Sequence, residues 1–308
     1  METTTYRIEQ IKGNTWCLDA GCSIPVYFLD DRTIVLLDSG FFDERTRPAL
    51  EQFIADKQLT VRAVLTSHHH IDHTGNHILL QGKYGAELIL PETEAALAHD
   101  TRMFAPVYGQ MAPKEVLKHM PYMLFKADRT FPEEQETVDI DGALFRQIPL
   151  PGHTPGHTGF VTPDDVLYVA DALMDEATYT RAKIPTTWDI EADLDSKKKL
   201  LAESSSHAAY ILAHRGVYKD IRDLVQGNID DRNRRTEAIK GWLSEREEWT
   251  LEDIQALLWK NLGLHTKNPL RQRIFGRNVY CVVNYLVQTG YLTPGSESGV
   301  VRYRVSEM

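Results

Sequence analysis

Five residues able to bind a metal stand within six positions, at His68-His69-His70-Ile71-Asp72-His73. The apolar run 61–65 delivers the chain into them, so the segment follows a predicted strand. Residues two apart on an extended segment point to the same side, which lets His68 and His70 hold one metal ion together. Asp72 and His73 then turn toward a second ion. Neutral imidazole and carboxylate are donors that zinc and similar borderline ions prefer. His69 falls at a variable position of the pattern and is left out of the candidate set.

Four ligands cannot complete two sites. Three further candidates follow predicted strands: His153 in Pro151-Gly152-His153-Thr154-Pro155-Gly156-His157, Asp171 after Leu167-Tyr168-Val169-Ala170, and His214 after Tyr210-Ile211-Leu212-Ala213. In layered α/β folds, sites are built from the loops at strand ends. His157 is expected to hydrogen-bond backbone in its turn. His99, His119, His207 and His265 read as ordinary polar positions.

Together with Asp38 in Leu36-Leu37-Asp38-Ser39-Gly40, these motifs resemble the metallo-β-lactamase fold superfamily over roughly residues 15–220. The resemblance implies an α/β fold, an αββα sandwich. It assigns His68, His70 and His153 to a first metal, Asp72, His73 and His214 to a second, and Asp171 to both. Asp38 would orient the ligand loops without touching metal. Two divalent ions are expected, with zinc suited to the donor set and iron or manganese as alternatives. The implied chemistry is hydrolysis by a bridging hydroxide, because metal-bound water ionises near neutral pH. Asp72 is the candidate for moving a proton.

Within that superfamily, Asp171 disfavours antibiotic hydrolysis, since true β-lactamases lack a bridging aspartate there. A flavodiiron-like redox role would need a Glu where His70 stands. The remaining classes are glyoxalase-II-like thioesterases, lactonases and nucleases. Neither small-molecule pattern is complete. The basic glutathione-binding pattern is not evident, and the tyrosine that lactonases carry three residues after the bridging Asp is Met174 here, with Tyr179 nearby.

The elements that must position these residues alternate strand and helix. Strands are expected at 26–29, 33–37, 61–65, 87–90, 144–150, 159–161, 166–170 and 210–212. Helices are expected over 43–57, 77–84, 196–206 and 218–246. Residues 92–131 are rich in Met, Phe, Tyr and Lys, including Met103, Phe104, Tyr108, Met111, Met120, Tyr122, Met123 and Phe125. They read as a helical insertion, either packing on itself or forming an apolar wall over a substrate pocket. Over the last sixty residues the grammar changes. Thr250-Leu251-Glu252-Asp253 reads as a capped helix start, two helices follow near 269–275 and 278–289, and a Gly/Pro/Ser-tipped hairpin precedes the alternating Val301-Arg302-Tyr303-Arg304-Val305. The expected division is therefore a catalytic domain over 1–220, with the insertion, and a C-terminal helical, winged-helix-like module over 221–308.

The 308 residues carry a net charge of −10, which gives no global attraction for nucleic acid or anionic membrane. Residues 250–308 are locally +3, with seven Lys or Arg against four acids, and Arg232-Asn233-Arg234-Arg235 precedes them. The start of the chain lacks a basic and apolar leader, and no apolar stretch is long enough to span a membrane. Three cysteines, Cys17, Cys22 and Cys281, form neither a disulfide framework nor a thiolate metal site. A cytoplasmic enzyme follows, with a homodimer as a candidate assembly. Its leading expected substrate is a small ester, thioester or lactone. The alternatives are a metal-dependent endoribonuclease that uses the C-terminal module, and a regulator with an inactive hydrolase domain.

Overall fold

The computed structural model describes residues 6–107 and 111–306. Seven strands form the first sheet in chain order: β1 (Arg7–Lys12), β2 (Thr15–Asp19), β3 (Ser23–Phe28), β4 (Thr33–Leu37), β5 (Thr60–Leu65), β6 (Glu87–Pro91) and β7 (Arg129–Phe131). Strands β1 to β4 are antiparallel neighbours, and β4 to β7 are parallel. The second sheet contains β8 (Thr137–Ile140), β9 (Ala143–Pro149), β10 (Thr158–Val161), β11 (Val166–Ala170), β12 (Ala209–Leu212) and β13 (Val217–Tyr218), in reverse chain order.

Alternation along the strands explains how the sheets stack. In β4, Val35 and Leu37 point to one face and Ile34 and Leu36 to the other. Val35, Leu37, Ala63 and Leu65 meet Phe160, Val166, Tyr168, Ala170 and Ile211 of the second sheet in one central core. Ile34, Leu36 and Val64 instead meet Leu50, Phe53 and Ile54 of the helix Thr46–Asp56 and Leu80 of the helix His77–Tyr84. On the far side, Leu167, Val169, Tyr210 and Leu212 pack against Leu200, Ile221 and Val225. Helix, sheet, sheet and helix layers result, which is the αββα sandwich expected from the sequence.

The insertion differs in one respect from its expectation. Helices run over Glu92–His99, Thr101–Val107 and Pro113–His119, with a short 3₁₀ turn at Pro121–Met123, but residues 129–131 are the edge strand β7. Leu97, Phe104, Met111, Val116, Met120 and Met123 bury one another, against Ile71, Leu270 and Ile274. The insertion is thus a small core wedged between the histidine segment and the C-terminal helices. Tyr108 lies outside the described residues.

Beyond the sandwich come the helices Arg222–Leu243, Leu251–Asn261 and Pro269–Gln288, and a sheet of β14 (Glu248–Thr250), β15 (Leu292–Glu297) and β16 (Val300–Val305) in the order β14-β16-β15. Thr250 caps its helix as expected, accepting from Asp253 N at 3.1 Å. The two helices expected near 269–275 and 278–289 are one. Gly276 faces Gln255 rather than breaking the helix, and a Cβ there would lie 2.6 Å from Gln255 Nε2. The helix Arg222–Leu243 begins in the sandwich, with Val225, and ends in the C-terminal core, with Ile239 and Leu243. Ile229 touches both. Among the described residues no helix is long and apolar enough to cross a membrane, and the three cysteines are free thiols.

Candidate metal centre

All seven ligand candidates converge at one end of the sandwich. His68, His70 and His153 form one group and Asp72, His73, Asp171 and His214 a second, each with its donor atoms within 4.8 Å of one another. In the first, His70 Nδ1 lies 3.1 Å from His68 Nε2 and 2.8 Å from His153 Nε2. In the second, His214 Nε2 lies 3.2 Å from both Asp72 Oδ2 and Asp171 Oδ1. The Asp171 carboxylate stands between the groups: Oδ2 is 3.4 Å from His153 Nε2, and Oδ1 is 3.3 Å from His73 Nε2.

Local backbone puts each residue there. Asp171 leaves β11 after Ala170, a non-glycine residue at φ +46°, where the register with β12 also shifts. Such a kink redirects the next side chain out of the strand's alternation. His153 follows Gly152, whose φ is +133°. Asp38 leaves β4 at φ +64°, a conformation that Asp tolerates better than most residues.

Hydrogen bonds then fix which ring nitrogen faces the centre. The carbonyl oxygen of Thr186 accepts from His153 Nδ1 at 3.1 Å, and Asp38 Oδ2 accepts from His73 Nδ1 at 2.7 Å. Ser67 Oγ donates its only proton to Asp38 Oδ2 at 2.6 Å, so it accepts from His68 Nδ1 at 2.9 Å. A neutral ring that donates through Nδ1 carries its lone pair on Nε2. In their neutral form all three rings therefore present Nε2 lone pairs to the centre, as a metal requires.

The site fits cations on its own evidence. His73 Nε2 and Asp171 Oδ1 are buried and face each other at 3.3 Å, and neither makes a well-directed hydrogen bond. A buried carboxylate oxygen facing imidazole nitrogens calls for positive charge beside it, as a proton on the ring or a metal ion. Electrostatics agree. Burial opposes charge on His73, yet Asp171, Asp72 and Asp38 outweigh it and push the imidazole up to about 10. Asp171 likewise pushes His214 up to about 12. Burial and the neighbouring imidazoles His73 and His70 drive His68 the other way, well below the usual imidazole range. One group is thus a neutral three-nitrogen cluster, and the other is a carboxylate-rich cage whose negative charge favours a cation.

Several residues of the site carry no signal in the pattern of ligands. Tyr168 donates to Asp38 Oδ2 at 2.7 Å. It sits on the inner face of an otherwise apolar strand, which is the one trace it leaves in sequence. His69, outside the candidate set, is fully buried, and its Nδ1 meets Glu94 Oε2. Nothing in the sequence pattern pointed to Glu94. His157 does bond backbone, but across the site: its Nε2 accepts from Asp171 N at 3.2 Å. Beside the centre, Phe42 stacks on Tyr122 of the insertion with ring centroids 3.8 Å apart, and the guanidinium of Arg47 lies over the Phe42 ring.

Residues 20–206 match the model of the metallo-beta-lactamase superfamily, and the chain belongs to that superfamily. Over 145 residues it is 31% identical to the hydroxyacylglutathione hydrolase GloC of Haemophilus influenzae, covering 47% of this chain and 63% of that protein. It is 28% identical over 176 residues to the 2,4-dinitroanisole O-demethylase subunit alpha of a Nocardioides species, covering 56% and 47%. It is 24% identical over 251 residues to the atrochrysone carboxyl ACP thioesterase of Aspergillus fumigatus, covering 79% and 65%. The chain spans less than two thirds of each of these relatives. Among solved structures, a beta-lactamase domain protein from Burkholderia ambifaria superposes with a TM-score of 0.70 at 18% identity, covering 99% of this chain and 95% of that one. A metallo-beta-lactamase family protein from Thermus thermophilus gives 0.66 at 20% identity, covering 92% and 93%. At such identities the likeness shows a shared fold, and the coverage extends it to the C-terminal helices and hairpin.

Proposed function

We propose that the chain is a dinuclear metal-dependent hydrolase acting on a small thioester, or on a related ester or lactone. The observation that carries this reading is Asp171, a single carboxylate whose two oxygens lie toward two separate imidazole groups. His68, His70 and His153 would hold one ion, Asp72, His73 and His214 the other, and Asp171 both. Zinc suits this sulfur-free donor set, with iron or manganese as alternatives. When bound, the ions supply an acidified water as nucleophile and polarise the acyl oxygen.

The chain's own residues supply the rest. Asp38 and Thr186 hold His73 and His153 with their lone pairs inward. Asp72 and His214 are the more exposed ligands, with 30 and 35% of their side chains accessible, and they mark the open edge of the site. That exposure supports Asp72 as the group that would carry a proton to or from the substrate. Phe41, Phe42 and Tyr122 supply apolar surface beside it for the acyl group. The thioester preference draws support from the relatives named as a hydroxyacylglutathione hydrolase and an ACP thioesterase.

The nuclease reading loses support because several of its arginines pair with acids of the chain itself. Arg232 donates to Thr187 Oγ1 and pairs with Asp193, Arg234 and Arg235 pair with Asp231, Arg273 pairs with Glu115, and Arg302 and Arg304 pair with Glu248. The regulator reading would be favoured by a lost ligand position, and every position here is filled. We read residues 1–220 as the catalytic unit and 221–308 as a winged-helix-like module that packs on it.

Elemental analysis of purified wild type beside Asp171→Ala tests the proposal, with a thioester, ester and lactone panel on the same samples. Two ions per chain in wild type, a clear loss in the variant, and thioester turnover that a chelator abolishes are expected. Fewer than one ion per wild-type chain would sink the reading.

A further inference from the structure

The three histidines of the first cluster come from different sheets. His68 and His70 follow β5 of the first sheet, while His153 lies between β9 and β10 of the second. A metal cluster built this way depends on whatever sets the spacing between the two segments. One backbone bond, from Thr158 N to Ser67 O at 3.1 Å, joins them near its base. A second connection is a side chain. Glu94, in the first turn of the helix Glu92–His99, is fully buried. Its Oε2 accepts from His69 N at 2.9 Å and meets His69 Nδ1. Its Oε1 accepts from Thr154 Oγ1 and from Gly156 N, each at 2.7 Å. One oxygen thus holds the residue between His68 and His70, and the other holds the turn just after His153.

The alternation of the segment explains why His69 takes part. With His68 and His70 facing the cluster, the residue between them must face away, and Glu94 is what it meets there. A buried carboxylate carries a desolvation cost that only a full set of donors offsets. Four donors are present, and they come from the two ligand segments. Burial opposes its charge, yet His69 and the remaining donors hold Glu94 below the usual carboxylate range. Asp38 does not duplicate this function. Its partners are Ser67, His73 and Tyr168, and none lies on the turn that carries His153.

We propose that Glu94 is a positioning residue that sets the spacing of the His68/His70 segment against the His153 turn, and with it the affinity of the three-histidine cluster for its ion. The inference rests on the dinuclear reading above. Its consequence is selective: losing the clamp weakens one ion and spares the other. The helical insertion, which begins at Glu92, is thereby tied to metal binding through its first turn.

The test is a competitive titration of metal-free protein with zinc against a chromophoric chelator, resolving two affinities. Glu94→Gln keeps the size of the side chain but turns an NH₂ group toward one of the two donor pairs. The expected result is one ion weakened by about tenfold to a hundredfold, with the other within about twofold of wild type. Thr154→Val removes a single donor and should weaken the same ion by less; it decides the matter if Glu94→Gln does not fold. The thermal midpoint of each metal-free variant separates this role from general destabilisation, since a merely structural residue would lower the midpoint and weaken both ions alike. Both ions weakened equally, or neither weakened, overturns the clamp while the hydrolase reading stands. A wild type that binds no zinc overturns both.

Discussion

Tyr168 and Asp38 meet across the seam between the two sheets: the phenol hydroxyl donates to Asp38 Oδ2 at 2.7 Å, although 130 residues separate them in sequence. That same oxygen accepts from Ser67 Oγ and His73 Nδ1. The tyrosine therefore locks a carboxylate that itself aims two of the proposed ligands, His73 directly and His68 through Ser67. Tyr168→Phe should keep the packing and remove one charge-assisted hydrogen bond. A loss of about 1.5–3 kcal/mol in urea unfolding of the metal-free protein is expected, with a smaller change in metal content than Asp38→Ala produces. Unchanged stability would mean that Asp38 is held well enough without it.

Gly152 is required by its surroundings. A Cβ there would lie 2.3 Å from both Cα and N of Asp193, and the backbone φ of +133° is one that side chains disfavour. Its carbonyl also accepts from Trp188 N and Asp189 N at 2.7 and 3.1 Å. Gly152→Ala should cost about 2–5 kcal/mol from strain and overpacking together. It should also displace His153, so metal content should fall along with the unfolding midpoint. Wild-type behaviour in both measurements would contradict the tight approach of these two segments.

Asp193 pairs with Lys197 and with Arg232, all largely buried. Burial works against its charge, and Lys197 and Arg232 outweigh that, so its carboxyl lies below the usual range. A carboxylate with a folded pKa below its unfolded value adds stability above roughly pH 4, and that stability is lost as pH falls through the folded value. Asp193→Asn leaves two cations without their partner and should cost about 3–5 kcal/mol at pH 7. The gap to wild type should narrow steadily between about pH 5 and pH 2 in urea titrations of metal-free protein. A gap independent of pH would refute this account.

Much of the centre was legible because its signals are local. The H-x-H-x-D-H run is contiguous, and His153, Asp171 and His214 each follow an apolar strand, so position alone selected them. Asp38 was legible only through its motif. Glu94 and Tyr168 were not legible, because their roles exist only once two sheets are stacked. The errors in the elements have similar causes. The Gly/Pro/Ser-tipped hairpin turns at Ser298-Gly299, and Pro294 and Gly295 lie within β15, an edge strand whose outer side needs no donor from proline. The helices expected near 269–275 and 278–289 are one, and Gly276 between them is a point of close approach. Strand β1 shows a mostly exposed face, so no apolar alternation announced it.

The helix Arg222–Leu243 has a thermodynamic consequence. Asn228, within its first half, exchanges two hydrogen bonds with the backbone of Met174, just beyond Asp171. Its two ends are rooted in different cores, with Ile229 in both. Neither core can melt without stripping apolar contacts from the other through this shared rod. The two halves of the chain are therefore coupled into one cooperative unit, and heating should release them in a single calorimetric transition.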